Sequence, residues 1–289
     1  MRYIMFTKHL QSMSIVEAGQ TIKALGFDGV ELTVRPNGHI LPEHVRDELP
    51  RAVDELRSIG LEVPALVVEI HNRREEHAAA VCETAARVGA TELRTSSHRY
   101  RGFGEIREQI ALARRDAREL ESLGKEYGVR LDVHCHSGDF LSTSGALLEY
   151  IIGDTDPSYV GVSLDVGHLT VEGGKSGWKQ SLDFLKDRVG IVAVKSFGWF
   201  REPDPRTGHL RWVPKLVPLE EGNVQWREAF TLLRQAGWDA DGRSLVSVHS
   251  EYQGGSSWRN LSVPELIEQT RKDFAYLKEQ AAVLQPAGA

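Results

Sequence analysis

Residues 106–134 read IREQIALARRDARELESLGKEYGVRLDVH, one complete unit of the pattern that decides the fold. Apolar residues recur at helical spacing from Ile106 to Tyr127, and Gly128 is suited to a left-handed helix end. Val129 to His134 then forms a short strand-like run. A helix that leads through a glycine into a strand is typical of a βα repeat in a parallel sheet.

This alternation runs through the whole chain and predicts eight strands. They are expected at Arg2 to Phe6, Gly29 to Leu32, Glu62 to Val68, Thr91 to Thr95, Val129 to His134, Val160 to Asp165, Ile191 to Lys195 and Ser244 to Val248. Further helices are expected at Ser14 to Leu25 and Glu75 to Val88. With no linker and no glycine-rich first turn, the pattern favours a single α/β domain over residues 1–289, a closed (β/α)8 TIM barrel, over an open doubly wound sheet.

The segment between the seventh predicted strand and the helix that follows it is longer than the other connections. Ser196 to Gln225, after the seventh strand, is rich in aromatic residues, proline and glycine, and is predicted to be a long loop. Loops of this length are typically lids or partner surfaces, and an arm that packs on a neighbouring subunit is the alternative.

Composition excludes several classes of protein. Hydrophobic residues make up 41% of the chain and charged residues 26%, a balance typical of a soluble protein with a sizeable core. The formal charge of -6 opposes binding to nucleic acid. Two cysteines are too few for a disulfide framework, and no apolar run approaches the roughly 18 residues of a membrane helix. A cytoplasmic protein is therefore expected, with no membrane partner and with homo-oligomer formation left open.

Polar side chains cluster after the predicted strands, at the end of the barrel where active sites lie. Imidazole and carboxylate groups converging there suit a divalent cation. The predicted metal ligands are His134, Asp165 and His249, with Glu251 or His136 as a fourth ligand or a neighbour of the ligands. Any one of these histidines taken alone is better explained as a hydrogen-bonded core residue, and it is their occurrence together at the ends of separate strands that favours a site.

Lys195 follows an apolar strand, so its ammonium is expected in a partly desolvated mouth. It is a candidate for proton transfer or for binding an oxyanion, and a salt bridge to Asp165 or Glu251 is the alternative. Candidates for substrate binding also follow the strands, with a solvated arginine turn or packing of the tryptophan in the loop as alternatives. These candidates are Glu31, Arg35, His39, Arg94, His136 and Trp199.

Several motifs together resemble the sugar phosphate isomerase/epimerase family, whose members have a xylose isomerase-like TIM barrel. They are GFDGVEL at 26–32, HSG at 136–138, DVGH at 165–168, KSFGW at 195–199 and HSEY at 249–252. The resemblance implies a divalent metal, often manganese, held by a glutamate, an aspartate, a histidine and a second glutamate after strands five to eight. Asp165 keeps the aspartate role and His168 matches a histidine that contacts substrate. The two glutamate positions fall on His134 and His249, and the histidine position falls on Ala193.

These observations predict a carbohydrate enzyme that depends on a divalent ion (Mn, Mg, Co or Zn) and transfers a proton next to a carbonyl. Its candidates for proton handling are Lys195, Glu251 and His168. Such an enzyme would isomerise or epimerise a sugar or oxidised sugar, and a lyase acting on a 3-oxo-glycoside is the alternative. The other hypotheses are a repair nuclease, which would need about three zinc ions and a basic groove, and a noncatalytic sugar-binding barrel.

Overall fold

The computed structural model describes residues 1–282, in which eight parallel strands close into a barrel. The barrel strands are β1 Arg2–Phe6, β2 Gly29–Thr33, β3 Glu62–Val67, β4 Glu92–Thr95, β5 Arg130–His134, β6 Val160–Asp165, β7 Val189–Val194 and β10 Leu245–Val248. Between β7 and β10, the chain forms a separate hairpin of β8 Ser196–Pro203 and β9 Leu210–Val217. β1 closes the barrel by pairing with β2 on one side and β10 on the other. The predicted TIM barrel is confirmed. Residues 283–289, at the end of the predicted domain, lie outside the described range.

Helices surround the barrel. They are α1 Ile15–Leu25, α2 Val45–Ser58, α3 Ala78–Val88, α4 Ile106–Tyr127, α5 Gly145–Ile152, α6 Val166–Leu185, α7 Trp226–Gln235 and α8 Val263–Ala282. α1 begins with a capping box between Ser14 and Glu17 and ends at Gly26, whose φ of 90° is in the left-handed region. Within residues 1–282, none of the helices combines the length and the apolar character needed to cross a membrane.

Strand alternation divides the apolar residues between two cores. One large cluster lies between the strands and the helices and includes the fully buried Cys135. A small separate cluster of Ile4, Ala65, Ile191 and Leu245 comes from four barrel strands. Towards the carboxyl ends of the strands the barrel residues become polar and charged, although they are still buried. The chain therefore keeps charged groups in a place where apolar side chains would be more stabilising.

The segment after the seventh strand differs from the prediction of a loop. Its first part is an antiparallel hairpin in which Ser196 pairs with Val217 at one end and Pro203 with Leu210 at the other. Asp204 closes the turn, because its carboxylate accepts hydrogen bonds from the amides of Arg206 and Thr207. Since a two-stranded hairpin has only edge strands, it tolerates the prolines that made this segment look irregular.

Candidate active site

The carboxyl ends of the strands surround a pocket of about 330 Å³, a volume suited to a small ligand. Its walls carry many ionisable side chains and expose more polar than apolar surface. The ionisable lining residues are Lys8, Arg35, Glu69, His71, Arg94, Arg99, His134, His136, Lys195 and Glu251.

A buried ion pair forms the floor on one side. The guanidinium of Arg94 donates to both carboxylate oxygens of Glu31, at 2.6 and 3.2 Å. Ser247 Oγ donates to Glu31 at 2.7 Å, and His249 Nε2 lies 3.2 Å from the same carboxylate. Burial raises the pKa of Glu31, but Arg94 and His249 outweigh this effect and hold it below its ordinary value. Glu31 is therefore an ionised carboxylate whose hydrogen-bonding capacity is used within the protein.

Three side chains form a compact group beside this pair. One ligand atom each from His134, Asp165 and His168 lies within 4.8 Å of the others, and all three residues are buried. His134 Nε2 is 3.1 Å from Asp165 Oδ2. The other oxygen of Asp165 caps α6 by accepting a 2.9 Å hydrogen bond from the amide of His168, so the start of this helix fixes the position of His168.

Both imidazoles of this group are neutral at neutral pH. Burial lowers the pKa of His134 well below its ordinary value, and the positive charges of Arg94 and Lys195 lower it further. Burial and Lys195 also lower the pKa of His168. For Asp165, burial raises the pKa, but Lys195, together with the neighbouring imidazoles and the hydrogen bond from the His168 amide, outweighs burial and keeps the pKa below its ordinary value. Two neutral imidazoles and one carboxylate are a donor set that fits a divalent cation.

Lys195 connects this group with Glu251. Its Nζ lies 3.1 Å from Asp165 Oδ2, 3.1 Å from His168 Nε2 and 3.9 Å from Glu251 Oε2. Lys8 Nζ lies 3.6 Å from the other oxygen of Glu251. Burial raises the pKa of Glu251, but the two lysines hold it well below its ordinary value. The salt bridges weighed as the alternative for Lys195 are therefore present, and they leave an ionised carboxylate beside an ammonium group at the pocket wall.

A matching family model covers residues 20–280 and describes the xylose isomerase-like TIM barrel. The chain belongs to this family. The match spans most of the sequence, so family membership does not depend on the strand-end motifs alone.

Solved structures with this fold resemble the whole chain. A 3-keto-D-glucoside 4-epimerase from E. coli superimposes with a TM-score of 0.67 at 16% identity, covering 96% of this chain and 99% of its own. An L-ribulose 3-epimerase gives a TM-score of 0.70 at 14% identity, covering 100% and 99%. The IOLI protein with a zinc atom gives a TM-score of 0.69 at 15% identity, covering 99% and 100%. No curated protein sequence matches the chain significantly.

This xylose isomerase-like barrel brings some of the predicted site residues together and separates others. Arg35, Arg94 and His136 line the pocket, and their role in substrate binding stays a prediction. The ring of His136 stacks on that of His168, with 3.9 Å between centroids, and Ser137 Oγ lies 2.7 Å from His168 Nδ1. These contacts fix the His168 ring within the group.

Four predictions are placed differently by the structure. His249 lies against Glu31 rather than in the group of His134 and Asp165, where His168 stands instead. Glu31 is fully buried beneath the pocket. His39 is bound to Thr33 through a 3.1 Å contact between Nδ1 and Oγ1. Trp199 lies on the hairpin, 45% exposed and outside the pocket lining.

Sequence reasoning missed the part of the wall that comes from the first, third and fourth strands. Lys8, Glu69 and Arg99 line the pocket but were not among the predicted residues. Lys8 and Glu69 each lie two residues beyond the end of a strand, which is the signal that identified the other candidates. Neither belongs to one of the histidine-containing motifs, most of which lie in the second half of the chain.

Proposed function

We propose that this protein is a metal-dependent sugar isomerase or epimerase that moves a proton at a carbon next to a carbonyl. The proposal is carried by one observation, the group of His134, Asp165 and His168 beside the Lys195–Glu251 pair. The sugar epimerases among proteins of the same fold agree with it.

The proposed metal ligands are His134, Asp165 and His168, because their donor atoms are close together and their imidazoles are neutral. His249 is left out of this set, because its ring lies against Glu31 and its donor atoms are not part of the compact group formed by the other three residues. A bound divalent cation would supply Lewis acidity, which stabilises negative charge on a substrate oxygen. The ammonium of Lys195 lies 3.1 Å from both Asp165 Oδ2 and His168 Nε2, so it would have to withdraw from these atoms for a cation to bind there.

Proton transfer is assigned to Glu251 and Lys195. Glu251 is ionised at neutral pH and lines the pocket, so it is available as the base that removes the proton from carbon. Lys195 is the matching acid, because its ammonium lies 3.9 Å from that carboxylate and also lines the pocket. Contact with the hydroxyl groups of a sugar is assigned to His136 and Arg94, because both line the pocket.

Deuterium exchange tests the proposal whichever product the enzyme forms. The purified protein is incubated in D2O with a panel of ketoses and 3-keto-glycosides, and deuterium at the carbon next to the carbonyl is followed by NMR. Metal content is measured on the same preparations by mass spectrometry. We expect about one ion per chain and exchange in the wild type, and neither in Asp165→Asn. The exposed Asp54 supplies the control, since Asp54→Asn is expected to retain both.

Glu251→Gln separates proton transfer from metal binding. Exchange should fall by about 10² to 10⁴ while the ion is retained, because Glu251 lies outside the proposed ligand set. Full metal content together with full exchange in Asp165→Asn would refute the proposal. Product analysis then distinguishes the outcomes: an isomerase or epimerase returns deuterated sugar, whereas a lyase expels the leaving group from the carbon β to the carbonyl as the double bond between the α and β carbons forms.

A further inference from the structure

The cations around the pocket are unequally neutralised. Three have a carboxylate partner: Arg94 with Glu31 at 2.6 Å, Lys195 with Asp165 at 3.1 Å, and Lys8 with Glu251 at 3.6 Å. Arg35 and Arg99 also line the pocket, but within residues 1–282 neither has a carboxylate oxygen within 4.0 Å. The pocket therefore presents two guanidinium groups that form no direct ion pair within the described residues, although the Glu69 carboxylate lines the same pocket and forms none either.

The backbone of Arg35 is held by a tight turn. Its amide donates to the Ile40 carbonyl at 3.1 Å, and its own carbonyl accepts from the amide of Gly38 at 2.8 Å. Asn37 completes the tight turn with a φ of 56°, in the left-handed region. This turn fixes the backbone from which the guanidinium extends, with Cζ 6.0 Å from the ring of Phe6.

The Nε of Arg35 is buried and has no hydrogen-bond acceptor in the part of the chain that the structure describes. The nearby carboxylates do not offset the cost of burying this cation. Burial and the positive charge of Arg94 lower the pKa of Arg35, and the opposite effects of Glu69 and Glu251 are smaller. A buried donor on a cation favours an anionic acceptor, because a neutral hydroxyl group would accept the hydrogen bond without balancing the charge.

We propose that the substrate is a sugar that carries an oxyanion, a carboxylate or a phosphate, and that Arg35 binds this group. Arg99 adds a second positive charge from the rim, where it is exposed and its guanidinium lies 4.5 Å from the ring centroid of Phe140. A guanidinium matches either oxyanion through two parallel hydrogen bonds. This inference rests on the proposed function for the identity of the ligand as a sugar.

Three probes that share one skeleton test the inference by isothermal titration calorimetry: D-glucose, D-glucuronate and D-glucose 6-phosphate. We expect at least one of the two anions to bind about tenfold or more tightly than glucose, the effect of a hydrogen bond to a charged group. The tighter of the two anions identifies the oxyanion. Raising the salt concentration should weaken binding of that anion and leave glucose binding unchanged.

Arg35→Gln should abolish the preference for the anion. The matched control is Arg107→Gln, which removes an exposed arginine on α4 and should leave the preference intact. The inference is overturned if neither anion binds more tightly than glucose, or if the preference survives in Arg35→Gln. Exchange on neutral sugars without a preference for anions would refute this inference alone. A preference lost in Arg35→Gln but accompanied by no exchange and no metal would refute the proposed function and support the anion subsite.

Discussion

The ion pair between Glu31 and Arg94 offers a direct test of how the barrel mouth is held together. Its shortest distance is 2.6 Å, and the two side chains are 0% and 7% exposed. The surface pair of Arg46 and Glu83 has the same 2.6 Å distance, with side chains 57% and 50% exposed. The chain thus contains two pairs that match in contact distance and differ in burial.

Removing one member of the buried pair should destabilise the fold strongly. Glu31→Gln leaves Arg94 without a counter-charge, and Arg94→Met leaves Glu31 ionised in a desolvated site. Each single variant should lower the free energy of unfolding by about 3–5 kcal/mol, the usual effect of stranding a buried charge. The corresponding changes at Arg46 and Glu83 should cost about 0–1 kcal/mol, because water screens an exposed pair.

Urea unfolding followed by circular dichroism measures these differences. The double variant of Glu31→Gln and Arg94→Met should lose less stability than the sum of the single variants, because it leaves neither partner stranded. The double variant at Arg46 and Glu83 should be additive to within about 0.5 kcal/mol. A loss below about 1 kcal/mol in either buried single variant would contradict the reasoning.

A pH series provides a second measurement on Glu31. Its pKa is lower in the folded protein than the unfolded value of about 4.3, so folding favours the ionised form. This contribution to stability is complete when the pH is above the pKa of Glu31 in the unfolded chain, and it is lost as the pH falls towards the lower pKa in the folded protein. The stability difference between wild type and Glu31→Gln should therefore shrink below about pH 4.3. A constant difference down to the acid limit of folding would contradict the assignment.

Three further outcomes are expected. Burial raises the pKa of Asp273 from 3.8 to about 6. In thermal melts, the stability of the wild type relative to Asp273→Asn should therefore fall as the pH rises from about 3.8 to about 6, and a constant difference would count against this assignment. A Cβ on Gly145 would lie 2.4 Å from Ser181 Cα, whereas Gly177 faces open space; in urea unfolding, Gly145→Ala should cost about 1–3 kcal/mol and Gly177→Ala should gain about 0.5–1 kcal/mol. Burial raises the pKa of Cys82 and Cys135 to about 12; a thiol reagent should label neither in the folded protein and both in denaturant.

Strand positions were predictable because strands and helices leave different periodicities in the sequence. β1 and β6 begin and end at the predicted residues. β7 begins at Val189 rather than at the predicted Ile191. The prediction started too late because Gly190 interrupts the apolar run in the sequence. That glycine has a packing reason, since a Cβ there would lie 2.2 Å from a carboxylate oxygen of Asp132 on β5, two strands away in the barrel. The hairpin was missed because prolines and exposed tryptophans hide its alternation.

The sequence by itself determined the barrel and the end of it at which ionisable side chains gather, because both follow from periodicity along the chain. Only the tertiary structure decided which of these side chains meet. His249 and His168 both follow barrel strands, yet Glu31 binds the first and α6 brings the second to Asp165. Such pairings depend on the distance across the barrel between residues 31 and 249, which are far apart in sequence, and no local pattern encodes that distance.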